Sequence, residues 1–166
     1  MNLNVKVNWI ATRRAAFVLP LMLAPFLASA QSKSSKYACK EPDPASLCNA
    51  GNTCGSPSTP CDVSVKRTAY GASATPQIPG AKGNSLFCVA TGTKVNWKSD
   101  SKNTGFVVDV SEESPFDPDG AIIGGSNRTA AVVAKKPGCY KYSVGACVSG
   151  AVSGMCANSS GEVIIK

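Results

Sequence analysis

Eight cysteines and not one histidine decide which side-chain chemistry is open to this chain of 166 residues. The thiols are Cys39, Cys48, Cys54, Cys61, Cys88, Cys139, Cys147 and Cys156. Thiols can pair as disulfides, attack as nucleophiles or hold soft metals, and each use needs a different environment. Without an imidazole there is no Ser-His-Asp or Cys-His machinery and no histidine zinc site. Carboxylates remain. Glu112 and Glu113 are sequence neighbours in a polar connection and read as solvated charge. Asp117 and Asp119 lie in Ser114-Pro-Phe-Asp-Pro-Asp-Gly120, where Pro and Gly supply the dihedrals of a turn. That stretch lacks the remaining oxygen ligands of a calcium loop, and nothing selects a glycosidase-type acid pair. No enzyme is expected, and no cofactor. Asn127-Arg128-Thr129 matches a glycosylation sequon, which matters only in a host that uses it.

The compartment follows from the N-terminus. Lys6, Arg13 and Arg14 form a basic start, and residues 15–27 form an apolar run too short to span a bilayer. Ala28-Ser29-Ala30 closes it as a small-x-small cleavage signature, so residues 1–30 read as a secretory signal peptide. Arg13 and Arg14 are an ordinary pair in such a region, and Phe17 stands one residue later than a twin-arginine signal prefers. Removing three basic residues lowers the net charge from +7 to +4. The surviving lysines are scattered and not interleaved with aromatics, which argues against nucleic acid as a partner. All eight cysteines follow residue 30, and an even number in an exported chain reads as a disulfide framework. The expected location is the periplasm or the extracellular space, with no membrane span after cleavage. Eight cysteines permit about a hundred pairings, so sequence alone does not fix the connectivity.

What must position these groups divides at about Cys61. Residues 31–61 are rich in Ser, Pro, Gly and Asn and carry four cysteines but few large apolar side chains. Such a segment cannot order itself by burial, so bridges must hold it. We read it as a disulfide-stapled N-terminal extension that covers a sheet edge. Residues 62–166 then alternate polar and apolar in short runs, the period-two mark of strands. Strands are expected at 62–67, 85–90, 93–98, 106–110, 121–123, 129–134, 139–144 and 161–166. Residues 70–82, with Pro76 and Pro79, read as a loop or irregular edge, and 114–120 as a turn. The sum is an all-β protein, an antiparallel Greek-key β-sandwich. Trp97, Phe106, Tyr140 and Tyr142, at alternating strand positions, are expected in its core.

The same segments resemble the cupredoxins, the plastocyanin-like blue copper family. Phe87-Cys-Val-Ala-Thr-Gly92-Thr-Lys-Val-Asn-Trp97 is similar to the family's strand-Gly-strand element ending in V-x-W. Pro137-Gly138-Cys-Tyr140-Lys-Tyr142 resembles its P-G-x-Y-x-Y approach to the last hairpin. Gly154-Met155, followed by Gly161-Glu-Val-Ile-Ile, resembles its Gly-Met exit and final strand. The resemblance implies a cupredoxin-like sandwich over residues 62–166. The family's copper is held by two imidazoles, one thiolate and a weak methionine. Carried over, the first imidazole position falls at 103–105, the thiolate at Val144, the second imidazole at Cys147 and the methionine at Met155. One ligand of four survives, so the resemblance implies a member without blue copper and without electron transfer through it.

The resemblance also implies that Cys147 and the neighbourhood of Met155 face each other across the former metal site. A Cys147–Cys156 bridge would close that loop where metal once linked it. The alternative is a soft Cu(I) site of Cys147, Met155 and Cys156, which needs reduced thiols in an oxidising compartment. Cys88 and Cys139 form a further candidate pair, since both point away from their apolar neighbours. A partner for either in the N-terminal extension remains open, as do the partners of Cys39, Cys48, Cys54 and Cys61. The expected role is a non-catalytic binding or structural module whose partner, a protein or small ligand, is unknown. Loops at the former copper end are the expected binding surface.

Overall fold

The computed structural model describes residues 35–110, 113–149 and 156–166. The expected signal peptide, Glu112 and Met155 lie outside the described residues. Two 3₁₀ turns, Ser35–Lys40 and Pro44–Leu47, precede ten strands. These are β1 (Cys61–Thr68), β2 (Gly71–Pro76), β3 (Phe87–Val89), β4 (Lys94–Ser99) and β5 (Thr104–Val110). There follow β6 (Phe116–Asp117), β7 (Ile122–Gly125), β8 (Ala130–Ala134), β9 (Gly138–Val148) and β10 (Cys156–Ile165). They form two five-stranded sheets, in the orders β2-β1-β4-β8-β6 and β3-β10-β9-β5-β7. Antiparallel pairing prevails, with β1–β4 and β3–β10 as parallel exceptions. This two-sheet, all-β sandwich is the architecture that the cupredoxin resemblance implies.

Alternation explains the core. Val63 and Val65 of β1, Val95 and Trp97 of β4, and Phe106, Val108 and Val110 of β5 are buried, each separated by a residue turned outward. Tyr142, Val144 and Ala146 of β9 and Val163 and Ile165 of β10 complete the inner layer. At its centre Phe87, Trp97 and Tyr142 meet edge to face, with ring centroids 5.8, 6.3 and 6.4 Å apart. That geometry sets the positive ring edge against the negative ring face and adds about 1 kcal/mol per pair beyond area burial. Tyr140 is half-exposed instead, and its hydroxyl donates to the carbonyl of Lys136 at 3.1 Å.

Three segments differ from expectation. Gly71–Pro76 forms strand β2 against β1, with Val63 opposite Pro76 and Thr68 opposite Gly71. It carries no large apolar side chain, so pairing rather than burial of bulk makes it a strand. Phe116–Asp117 pairs with β8 inside the expected turn. β9 and β10 run on as one ladder to Cys147 and Cys156, well past the expected ends.

The N-terminal extension packs on the outer face of the second sheet. Ala38, Leu86, Cys88 and Ile164 form a second apolar cluster there, flanked by Leu47, Cys48 and Cys139. Asn52 and Cys54 also pair with Cys88 of edge strand β3: the Cys54 amide donates to Cys88 at 2.8 Å, and the Cys88 amide donates to Asn52. The extension thus covers an edge and a face. Bridges Cys39–Cys139, Cys48–Cys88 and Cys54–Cys61 fasten it. The candidate pairing of Cys88 with Cys139 is therefore corrected. Both do face outward, but β10 lies between their strands, and Ile164 stands between them in register. Two strand spacings are about 9.5 Å, beyond the reach of a disulfide.

The loop end of the sandwich

Strand direction brings four connections to one end of the molecule. They are the β1–β2 turn, the β4–β5 turn at 100–103, the β7–β8 turn at 126–129 and the ends of β9 and β10. Of the positions carried over from the copper family, 103–105 and Cys147 belong to this end, with Val144 three residues before Cys147 on β9. Asn103 is exposed, and its carbonyl accepts the Ser149 amide at 3.3 Å. Gly105 pairs with Gly125 on one side and Cys147 on the other.

β9 decides what these positions can do together. Tyr142, Val144 and Ala146 are buried, whereas Ser143 is exposed and Gly145 and Cys147 are half-exposed. A strand turns residues i and i+3 to opposite faces. Val144 therefore points into the core, and Cys147 lies on the outer face. The thiolate position and the second imidazole position of the family do not converge here, because the chain continues as regular strand where a ligand loop would have to leave it. Blue copper does not fit these residues.

Cys147 is bonded to Cys156, its register partner on β10, with Cα atoms 4.0 Å apart. The loop end is closed by sulfur, on the outside of the sheet rather than across an interior site. With both sulfurs joined, the soft-ligand set of Cys147, Met155 and Cys156 is not available in this state, and the described residues contain no free cysteine.

Among the described residues, the carboxylates Glu113, Asp117 and Asp119 are engaged in separate surface contacts. Glu113 is exposed and bonded to Lys136 at 2.8 Å. That hydrogen bond holds the Glu113 carboxyl below its usual range and raises the Lys136 ammonium. Asp117 pairs with Lys135 at 2.5 Å, and Asp119 accepts the Gly120 amide at 2.8 Å. A carboxylate that sequence reasoning passed over is Glu162. It is buried on the outer face of β10, where its Oε2 accepts the amides of Ala38 at 2.6 Å and Cys39 at 3.4 Å. It anchors the N-terminal extension. Its sign in the sequence was a charged residue placed directly before the apolar run Val163-Ile164-Ile165. On the opposite sheet, Asp62 lies between Lys98 at 2.5 Å and Asn96 at 2.8 Å. The Lys98 hydrogen bond, then that of Asn96, lowers its carboxyl pKa. Asn127 of the sequon is exposed in the β7–β8 turn with φ of 70°.

Comparison with known proteins adds fold-level likeness only. Solved structures similar to this chain include rusticyanin in its reduced form. It is 14% identical over 69% of this chain and 83% of that one, with a TM-score of 0.39. Rusticyanin from Thiobacillus ferrooxidans is 17% identical over 70% and 79%, with a TM-score of 0.34. A further structure, described as the copper protein rusticyanin, is 14% identical over 70% and 79%, with a TM-score of 0.31. No family model and no curated protein matches. At these scores no ligand, partner or activity passes from rusticyanin to this chain.

Proposed function

We propose that this chain is an exported, non-catalytic module of cupredoxin type that does not use copper and that binds or holds a partner through its loop end. The observation that carries the reading is the split of Val144 and Cys147 to opposite faces of β9, with Cys147 bonded to Cys156. A copper centre needs its donors on one side of the chain. Four disulfides support residence in an oxidising compartment, where the N-terminal extension stays fastened. Separate surface ion pairs at Glu113 and Asp117 support a role without acid-base catalysis. The loops of one end are the natural contact surface, since the sheets beneath hold them in place.

The test is copper titration of the oxidised protein. With the disulfides intact, Cu(II) and Cu(I) are expected to elute separately from the protein on desalting, with no intense visible charge-transfer band. One copper retained per chain, with such a band, would sink the reading.

A further inference from the structure

We propose that Cys147–Cys156 is a reversible redox centre, exchanging with the dithiol of a partner protein, while the other three bridges are permanent. Three independent features of the outer face lead there. The first is access. Cys156 is exposed and Cys147 half-exposed, and neither belongs to an apolar cluster. Cys54, Cys61 and Cys88 are buried, and Cys48 and Cys139 pack against the second cluster. Cys39 is half-exposed as well, but its partner Cys139 packs against that cluster, so only in Cys147–Cys156 are both sulfurs clear of apolar packing and open to an attacking thiolate.

The second feature is a cleared approach. Cys147 is opposite Gly105, and Gly145 precedes it on the same face. A Cβ added at Gly105 would meet nothing nearer than 4.0 Å. Beside these glycines stand Val107 and Ile123, register partners that are 41% and 73% exposed. They are two of the three large apolar side chains left in solvent among the described residues. Flat backbone beside a small apolar step suits the docking of another protein's surface over the sulfurs. Lys102 and Arg128, both exposed, stand in the turns that precede β5 and follow β7.

The third feature is that the fold does not depend on the bond. Cys147 and Cys156 are the last pair of a ladder that runs on to Gly138 and Ile165, and β5 holds Cys147 from its other side. The bridge spans a sequence separation of 9, against 100 for Cys39–Cys139 and 40 for Cys48–Cys88. Opening it leaves both strands in place.

A partner thiolate attacks one sulfur, the Cys147–Cys156 bond breaks, and the leaving thiolate takes up a proton. The partner's second thiol then attacks the mixed disulfide and releases the other cysteine as a thiol. This chain gains two electrons and two protons, and the partner dithiol is oxidised to a disulfide.

The experiment uses the whole folded protein, first with dithiothreitol and then with reduced thioredoxin as probes. Thiols are trapped over time with a maleimide and located by peptide mass spectrometry. Cys147 and Cys156 are expected to label together at least about tenfold faster than any other cysteine, with native circular dichroism retained. The Cys147→Ser/Cys156→Ser variant is expected to remain folded and unlabelled in the same interval. Simultaneous labelling of all eight cysteines, or earlier labelling of another pair, overturns the proposal. So does a pair that dithiothreitol opens but thioredoxin does not. Copper retained by the oxidised protein would defeat the preceding reading and leave this one standing, so the two fail separately.

Discussion

Replacing Tyr142 by phenylalanine should stabilise this protein, and by more at alkaline pH than at neutral pH. The Tyr142 ring is locked between Trp97 and Phe87, and its hydroxyl is buried without a hydrogen-bond partner among the described residues. Leaving such a group unpaired costs about 1–3 kcal/mol, part of which the hydroxyl's own packing offsets. At pH 7 the variant should therefore gain about 1 kcal/mol, or a rise in Tm of about 4 °C for a domain of this size. Burial pushes the Tyr142 phenol well above its ordinary value of 10. Below pH 10 both the folded and unfolded states keep the proton, and the shift contributes nothing. Above pH 10 the unfolded state releases a proton that the folded state retains, so stability falls by about 1.4 kcal/mol per pH unit. Phenylalanine removes that slope. The advantage of Tyr142→Phe should thus widen from about 1 kcal/mol at pH 7 to about 2.4 kcal/mol at pH 11. Guanidinium unfolding at the two pH values, without reductant and followed by Trp97 fluorescence, measures it. Other tyrosines and the lysines cancel in the difference. A gap that stays constant between pH 7 and pH 11, or a variant less stable at pH 7, would mean that the Tyr142 hydroxyl has a partner in the folded protein.

Other consequences are simpler. Gly124→Ala sets a Cβ 2.4 Å from Cζ of the buried Phe106, so thermal melting should show a loss of about 1–3 kcal/mol, whereas Gly80→Ala meets no atom within 4 Å and is strained only by its φ of 78°. Loss of Cys39–Cys139 by double serine substitution should cost about 2 kcal/mol more in denaturant unfolding than loss of Cys147–Cys156, because the closed loops differ in length (separations of 100 and 9). Equal costs would contradict the entropic argument. Asp62, whose carboxyl Lys98 holds low, contributes stability that is present above the unfolded pKa near 4 and lost as pH falls below it. The pair is partly exposed, so Lys98→Met should remove under about 1 kcal/mol, visible as a flatter acid limb in stability measured from pH 5 to pH 2. In Glu162→Ala, the amides of Ala38 and Cys39 lose their acceptor and should exchange hydrogen faster, with the core strands unchanged.

The strands that bury apolar side chains on alternate positions are legible in the sequence, and Trp97, Phe106 and Tyr142 fall in the core as their spacing requires. β2 was not legible, because Gly71-Ala-Ser-Ala-Thr-Pro76 has no bulky residue to reveal a buried face. Its strand character comes from long-range partners: Asn84, at φ of 58°, bonds to Ala72, Ala74 and Ser159, and the Ser159 hydroxyl donates to the Ala72 carbonyl. The outward direction of Cys88 and Cys139 could be read from strand parity, but their partners could not. Which cysteine of the extension reaches which strand depends on the path of a segment with no periodicity of its own. At the loop end, the types at Val144 and Cys147 already argued against copper. Their placement on opposite faces stayed hidden because residues after Val144 read as loop, whereas the ladder continues through Ala146 and Cys147.

A sulfur–sulfur bond on the outer face closes the end where the resemblance would place copper. Alkylation of the native protein as isolated, followed by non-reducing peptide mapping and measurement of copper content, is the decisive experiment. No alkylation, a linked Cys147–Cys156 peptide and no stoichiometric copper are expected. Alkylated Cys147 and Cys156 in the native protein, together with copper that is lost once they are alkylated, would contradict that expectation.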